Sequence, residues 1–406
     1  MPSEVDHSEN DLRVAFITTV NHNVGDDLVR EGIRCLLETK LGPVKPFLIH
    51  KHFPATVRGE VSWLQEAGFL GVLDRMTGGR GLALSRLLER LPLAVTGDKI
   101  LGSDMLVQSG APVYWCFPDG GGCHTNEWFH PLIERRYLLI KDRVPLLNIG
   151  AGSCQPYHSD GLEFERNSEC MDYIRRLFHL STLTTVRDRL AQSVLNLAKL
   201  NAPLLCCPSI FARDRLGVTP RTGEFAALNF MPLGGHYDLG QQVNTDVWAR
   251  TFCAFCEALS RVIPVVLVCH THKEFRIASR LLPNFRRVLV DSAATCLAFY
   301  SRVRCYIGSR VHGALAAASF GHPAFVVGSD SRATMGEEMH ISSGFVSDMS
   351  VRRLMEEFER LKRSEEEFAA LSVQLREHVR SGYMNVLDGI ENRVSSRQRS
   401  LGAATP

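Results

Sequence analysis

Apolar positions along this chain fall into short, near-continuous runs separated by amphipathic stretches of helical spacing. RVAFITTV (Arg13 to Val20), PFLIH, DMLVQSG (Asp104 to Gly110) and VPLLNIGAG (Val144 to Gly152) are such runs. Their length and uniform hydrophobicity suit parallel strands covered by helices on both faces. After the first run, DLVREGIRCLLETK sets Leu28, Ile33, Leu36 and Leu37 on one helical face. A mostly helical pattern spans about 61–93, and STLTTVRDR with LAQSVLNLAKL closes this half. A second alternation follows. Its predicted strands are LLCCPSI, EFAALNF, IPVVLVCH, RRVLVD, RCYIGS and PAFVVGS, and its predicted helices lie near 245–261, 274–282, 293–301 and 313–319. Strands alternating with helices read as right-handed βαβ units. The expected architecture is α/β, with two Rossmann-like domains facing a central cleft. A disordered start (1–11) precedes an N-terminal domain (12–205) and a C-terminal domain (206–348). A helical segment (349–390) packs back, and a disordered tail (391–406) ends the chain.

Length agrees, since 406 residues exceed the ~100–200 of one domain. Lys and Arg total 46 against 44 Asp and Glu, and this balance argues against nucleic acid, whose binders carry a marked basic excess. Of the basic residues 38 are Arg; genome composition accounts for most of that bias, although a guanidinium fork also suits anionic substrates. No apolar run is long enough to span a bilayer, and the polar start, MPSEVDHSEND, lacks the pattern of a secretory signal. The expected location is the cytoplasm, or its inner membrane face; the basic amphipathic stretch Gly79 to Leu91 could make peripheral membrane contact, although an ordinary packed helix explains it more readily. The twelve cysteines sit largely in apolar runs, where reduced Cys is a small hydrophobe, and the CxxC of Cys253 and Cys256 has no second pair at zinc spacing. No metal is expected.

Three constellations carry chemistry. In CYIGSRVHGALAAASFGHPAFVVGSDSR a strand ends at Gly308-Ser309, Arg310 and His312 follow, and Gly313 opens an Ala-rich helix. A helix N-terminus beyond a strand's carboxyl end offers N–H groups to an anion, Arg310 a bidentate fork, and His312 a proton near neutrality. NHNVGDD places Asn23, Gly25 and Asp26 after the first strand, in positions that also suit an N-cap and a turn. TTVRDRL places Arg187 and Asp188 where a strand meets a helix; a cap with an ion pair explains them equally well. The loop PDGGGCHTNEW could close over a substrate. His270, after VVLVCH, reads as an acceptor contact.

In order and spacing, Asn23-Val24-Gly25-Asp26, Val186-Arg187-Asp188 and Ser309-Arg310-Val311-His312-Gly313 with Gly321-His322-Pro323 resemble the polysaccharide pyruvyl transferase family over roughly 12–345. The chain departs from the family pattern in reading Ser109-Gly110-Ala111-Pro112 where many members have a triple-glycine turn, and Arg332 where a Lys is usual. The resemblance implies a GT-B-like fold and transfer of pyruvate from phosphoenolpyruvate to two hydroxyls of a sugar as a cyclic ketal, in exopolysaccharide or capsule biosynthesis. The acceptor would be a sugar or a lipid-linked oligosaccharide, with no cofactor beyond the donor itself. On this reading Arg187, Arg310, His312, Gly313 and Arg332 bind phosphoenolpyruvate. His312 is the general acid, Asp26 the base, and Asn23, Gly25, Asp26 and His270 lie toward the acceptor. Two alternatives keep the fold: a glycosyltransferase using a nucleotide sugar, and a non-catalytic glycan-assembly protein. Oligomeric state is not readable from the sequence.

Overall fold

The computed structural model describes residues 11–20, 23–52, 56–57, 98–116 and 128–402, with backbone only beyond 390. The helical expectation at 61–93, the amphipathic stretch at 79–91, nearly all of the Gly-rich loop and residues 1–10 lie outside the described residues.

The first sheet is wholly parallel. It contains β1 (Leu12–Thr18), β2 (Val44–His50), β3 (Met105–Ser109), β4 (Pro112–Tyr114), β5 (Leu146–Ser153) and β6 (Leu183–Val186). β1 sits between β2 and β3, and β5 lies beyond β3. Past Gly110, β4 continues the line of β3 along the same side of β5, while β6 takes the other side. The kink needs glycine: φ at Gly110 is +24°, and a Cβ there would stand 2.4 Å from Val29 Cγ1. β3 and β5 are buried at every position, as the continuous apolar runs require. Helices α1 (Val24–Leu41), α2 (Pro131–Leu138), α3 (Ser168–Leu180) and α4 (Arg189–Leu197) accompany them.

The second sheet, also parallel, runs β12-β11-β10-β7-β8-β9. Its strands are β7 (Phe225–Asn229), β8 (Val265–Cys269), β9 (Arg286–Leu289), β10 (Val303–Gly308), β11 (Ala324–Gly328) and β12 (Ser342–Phe345). Its helices are α5 (Thr245–Ser260), α6 (His272–Leu281), α7 (Ala293–Tyr300) and α8 (Val311–Ser319). The order reverses between β7 and β10, which is where open α/β sheets bind ligands, beyond the strands' carboxyl ends.

Two expectations change. LLCCPSI is not a strand. Leu204 makes one bridge to Val186, and Pro208, whose ring fixes φ and removes a donor, opens a 3-10 turn over Pro208–Phe211. That turn and the single helical turn Ala212–Arg215 pack on α1, and the former also on α8, so the boundary drawn at 205/206 falls inside the connection, which runs on to β7. After α9 (Val351–Arg363) the chain breaks at Ser364, and α10 runs over Glu365–Gly402.

α10 and the connection seal the domains along one side. One apolar cluster extends from α1 (Leu28, Ile33, Leu36) through Cys206, Ile210 and Phe211 to the alanines of α8 and Tyr383 and Leu387 of α10. The Tyr383 hydroxyl donates to the Cys206 carbonyl at 3.0 Å. The alanines allow α8 to lie this close, and burial at ~25 cal/mol per Å² makes the cluster the main tie between the domains.

Candidate active site

The carboxyl ends of both sheets open onto one interdomain cavity of about 280 Å³. From the first domain come Thr19, Asn23, Asp26, Trp115 and Arg187, and from the second His236, Tyr237, Arg310, His312 and Arg332. Six of the nine expected site residues, Asn23, Asp26, Arg187, Arg310, His312 and Arg332, line this cavity.

Arg187 follows β6 and is 1% exposed. Its Nη1 donates to the Gly110 carbonyl at 3.0 Å and contacts Cys207 Sγ at 3.7 Å, while Nε is buried without an acceptor. No carboxylate pairs with it among the described residues. Asp188, its neighbour, instead caps α4 through Ala191 N–H and accepts from Ser153 N–H and Oγ. Asp188 balances part of the Arg187 charge through space without hydrogen bonding to it, which leaves the guanidinium fork beside the cavity free of a carboxylate acceptor among the described residues.

His312, in the first turn of α8, shows its open face only to the cavity. Burial, reinforced by the positive charge of Arg187, Arg310 and Arg332, holds its imidazole well below the usual histidine range, so it is neutral in the free protein. Its Nε2 contacts Cys207 Sγ at 3.9 Å. The N–H groups of Val311 and His312 have no protein acceptor among the described residues and form the positive end of α8.

Arg310 was expected to offer an open fork. The structure closes it. Nε donates to Glu274 Oε1 at 3.0 Å, Nη2 also pairs with Glu274, and Nη1 lies 2.7 Å from His236 Nε2. Glu274 is fixed in turn by Asn229 Nδ2 at 3.0 Å, His270 N–H at 3.0 Å and the Thr271 hydroxyl at 3.1 Å. Burial alone would raise the Glu274 carboxyl; Arg310 overrides it and holds the group below its ordinary range. The charge of Arg310 is therefore spent inside the protein.

Gly313 changes role too. Its N–H goes to the Arg310 carbonyl at 2.9 Å and is not free for phosphate. A Cβ there would stand 2.4 Å from the Tyr300 hydroxyl, so the glycine serves packing behind the site. Arg332 lines the cavity but is paired with Asp330, Nε to Oδ1 at 2.8 Å and Nη2 to Oδ2 at 2.5 Å.

Near the first strand, Asn23 is the N-cap of α1, its side chain accepting from Gly25 N–H at 3.1 Å, and it also lines the cavity. Asp26 is buried and accepts from the Thr19 hydroxyl at 2.5 Å, with its carboxylate at the cavity wall. Gly25 does not line the cavity; it lies against the His312 ring. His270 belongs to an adjoining cavity of about 580 Å³, which also receives Lys273, Asp291 and Arg310. Its Nε2 meets the Tyr300 hydroxyl at 2.9 Å, its Nδ1 is buried without a partner, and burial lowers its pKa to about 4.

The sequence missed Glu274, His236, Trp115 and Tyr237, none of which stands in a recognisable motif, while Trp128 ends the Gly-rich loop that it singled out. Among the described residues, no cluster of His, Cys, Asp or Glu could hold a metal ion, and no helix is long and apolar enough to cross a membrane.

Two parallel-stranded α/β domains meeting at their carboxyl ends over one cleft define a GT-B-like protein. Among solved structures, S. aureus MnaA with UDP matches at TM-score 0.52 and 13% identity, over 92% of this chain and 97% of that one. The chain belongs to the polysaccharide pyruvyl transferase family, whose model matches residues 23–331. Further matches in fold are the Methanocaldococcus jannaschii UDP-GlcNAc 2-epimerase with UDP-GlcNAc and UDP (TM-score 0.47, 11% identity, 86% of this chain and 92% of that one) and the E. coli heptosyltransferase WaaC with ADP (0.42, 11%, 86% and 100%). No curated protein matches the sequence.

Proposed function

We propose that the protein transfers pyruvate from phosphoenolpyruvate to two hydroxyls of a sugar, forming a cyclic ketal and releasing inorganic phosphate. The observation that carries this reading is Arg187, a buried guanidinium with no carboxylate hydrogen-bonded to it among the described residues, beside the open N–H groups of α8 and the imidazole of His312. A small donor bearing a carboxylate and a phosphate supplies the two anions such a pair of sites accepts. Arg187 takes one; the Val311 and His312 N–H groups take the other.

Donor binding then changes His312. Its pKa is low because cations surround a buried ring, and the donor's negative charge offsets them, so the imidazole gains a proton as the complex forms. In the transfer step that proton passes to the enol methylene carbon, whose π electrons form the new C–H bond. The adjacent carbon becomes oxocarbenium-like and is attacked by a sugar hydroxyl. Asp26, held by Thr19, accepts the hydroxyl proton. Phosphate leaves with the C–O electron pair, and a second hydroxyl closes the ring on the resulting oxocarbenium centre, its proton passing to the departing phosphate. The acceptor is a sugar or a lipid-linked oligosaccharide, and the setting is exopolysaccharide or capsule assembly in the cytoplasm or at the inner face of the membrane.

A nucleotide-sugar glycosyltransferase is the competing reading, favoured by the adjoining cavity, where Asp291 could meet ribose hydroxyls and Lys273 a phosphate. Thermal stabilisation separates the two. Phosphoenolpyruvate should raise Tm and UDP or ADP should not; a shift with nucleotides and none with phosphoenolpyruvate would reverse the choice.

A further inference from the structure

Cys207 touches both of the side chains on which the donor site depends. Its Sγ lies 3.7 Å from Arg187 Nη1 and 3.9 Å from His312 Nε2, and these are its polar partners among the described residues. The residue is 0% exposed. Its backbone is clamped where the connection enters the 3-10 turn. A Cβ on Gly32 would stand 1.9 Å from the Pro208 carbonyl oxygen, and one on Gly150 would stand 2.8 Å from Pro208 Cδ. The sulfur is therefore fixed between the end of β6 in one domain and the first turn of α8 in the other.

A buried Cys usually serves as a small hydrophobe. Here two of its neighbours are a guanidinium and an imidazole, and the inventory of donors and acceptors assigns the thiol proton. Arg187 can only donate, so the sulfur accepts from Nη1. The thiol keeps one S–H to place, and the acceptor within reach is the lone pair of His312 Nε2. With Nε2 accepting, the neutral ring carries its own proton on Nδ1. That nitrogen has no hydrogen-bond partner among the described residues and is not sealed in. Gly25 leaves it uncovered, since a Cβ there would stand 2.4 Å from it.

We infer that Cys207 is a positioning residue: its thiol holds His312 Nε2 and so sets the ring in its Nδ1–H form, with that N–H left to an anionic oxygen of the donor. The inference rests on the pyruvyl-transfer reading in naming phosphoenolpyruvate as the ligand. A thiol suits the place because it can donate or accept. When the donor's charge brings a second proton onto the ring, at Nε2, the sulfur turns from donor to acceptor and the ring keeps its orientation. In the transfer step the Nδ1 proton goes to the enol methylene carbon, whose π electrons form the C–H bond. The ring is left neutral, with Nε2–H on the sulfur. A carboxylate in place of the thiol would hold the ring charged before the donor arrived.

Nitrogen NMR of the full chain carrying isotope-labelled histidine reads which ring nitrogen of His312 bears the proton, its signals being assigned by their loss in His312→Asn. Without ligand, Nδ1 should be the protonated nitrogen in the parent and in Cys207→Ser, whose hydroxyl also donates. Cys207→Ala should move His312 to the Nε2–H form or to a mixture. By calorimetry it should weaken phosphoenolpyruvate ~3- to 10-fold, and Cys207→Ser should restore most of that loss. A packing role would lower the stability of Cys207→Ala and leave the tautomer alone. Nε2–H in the parent, or one tautomer shared by the parent and Cys207→Ala, overturns the inference. A shifted tautomer with unchanged phosphoenolpyruvate affinity also overturns it, because the N–H would then not face the donor. Should the tautomers be as expected while phosphoenolpyruvate fails to bind the parent, the donor reading falls and the hold of Cys207 on His312 stands.

Discussion

Gly25, in the first turn of α1, lies so close to His312, in the first turn of α8, that a Cβ on Gly25 would stand 2.4 Å from the imidazole Nδ1. The two helices belong to different domains, so the imidazole of one is seated against the backbone of the other. With Nε2 on Cys207 and Nδ1 on Gly25, the ring is held on both sides. Gly25→Ala must therefore displace the imidazole or part the helices. Overpacking of this kind costs ~1–3 kcal/mol, which the extensive interdomain cluster can absorb. Turnover should fall at least ~10-fold, since small misplacement of a reacting group is costly. Denaturant melts beside steady-state rates check this, and full activity in the variant would show that the contact is incidental.

His312 itself should matter to rate far more than to folding. General acid catalysis contributes ~10²–10⁴-fold, so His312→Asn should lose turnover in that range while its denaturation midpoint stays near that of the parent. Because the free imidazole is neutral and the donor's charge restores its proton, phosphoenolpyruvate binding near pH 7 should take up protons. Binding heats in HEPES and in Tris should differ, and the difference should vanish in the variant. Equal heats for the parent protein in the two buffers would remove the proton from His312.

Arg187 presents the opposite balance. Its guanidinium is buried against a carbonyl and a sulfur with no carboxylate hydrogen-bonded to it, Asp188 acting on it only through space, so its burial costs the empty protein stability that an anion would restore. Arg187→Gln keeps a donor near the Gly110 carbonyl and removes the charge. Tm of the free protein should not fall, and the Tm rise with phosphoenolpyruvate should disappear. A variant still stabilised by the donor would place the anion elsewhere.

What the chain revealed of itself follows physical range. Strands β1, β3, β5, β7, β8, β10 and β11 were legible because each is buried on both faces and so reads as an apolar run. LLCCPSI misled because its hydrophobicity serves the interdomain cluster, where a proline turn packs as well as a strand. At the site, motifs identified Arg187, His312 and Asp26, which stand beside strand ends in local sequence. They could not reveal that Glu274, 36 residues before Arg310, would occupy its fork, or that Trp115 would face Tyr237. Those pairings arise from the parallel order of the second sheet and from the closure of two domains, and no spacing rule reports either.

The Glu274–Arg310 pair makes a prediction of its own. Removing one member of a buried pair leaves the other charge stranded, at ~3–5 kcal/mol. Glu274→Gln should lower stability by about that much and also free the Arg310 fork toward the cavity, tightening phosphate or another small dianion. Denaturant titration with and without inorganic phosphate checks both. A variant as stable as its parent would mean that solvent reaches the pair.

Acid should weaken the fold through His270. Burial holds its pKa at about 4, against 6.5 for the unfolded chain, so between those values the unfolded state binds a proton that the folded state refuses. The depressed pKa contributes stability above pH 6.5, and that contribution is lost as pH falls toward 4. At 1.36 kcal/mol per unit the loss approaches ~3 kcal/mol by pH 4 from this group, with His312 losing stability over the same window. His270→Gln keeps an amide able to reach the Tyr300 hydroxyl and removes the titration, so its stability should decline less steeply between pH 6.5 and 4.5. Denaturation midpoints at four pH values in that range decide it. Parallel slopes for parent and variant would show that His270 opens to water and titrates normally.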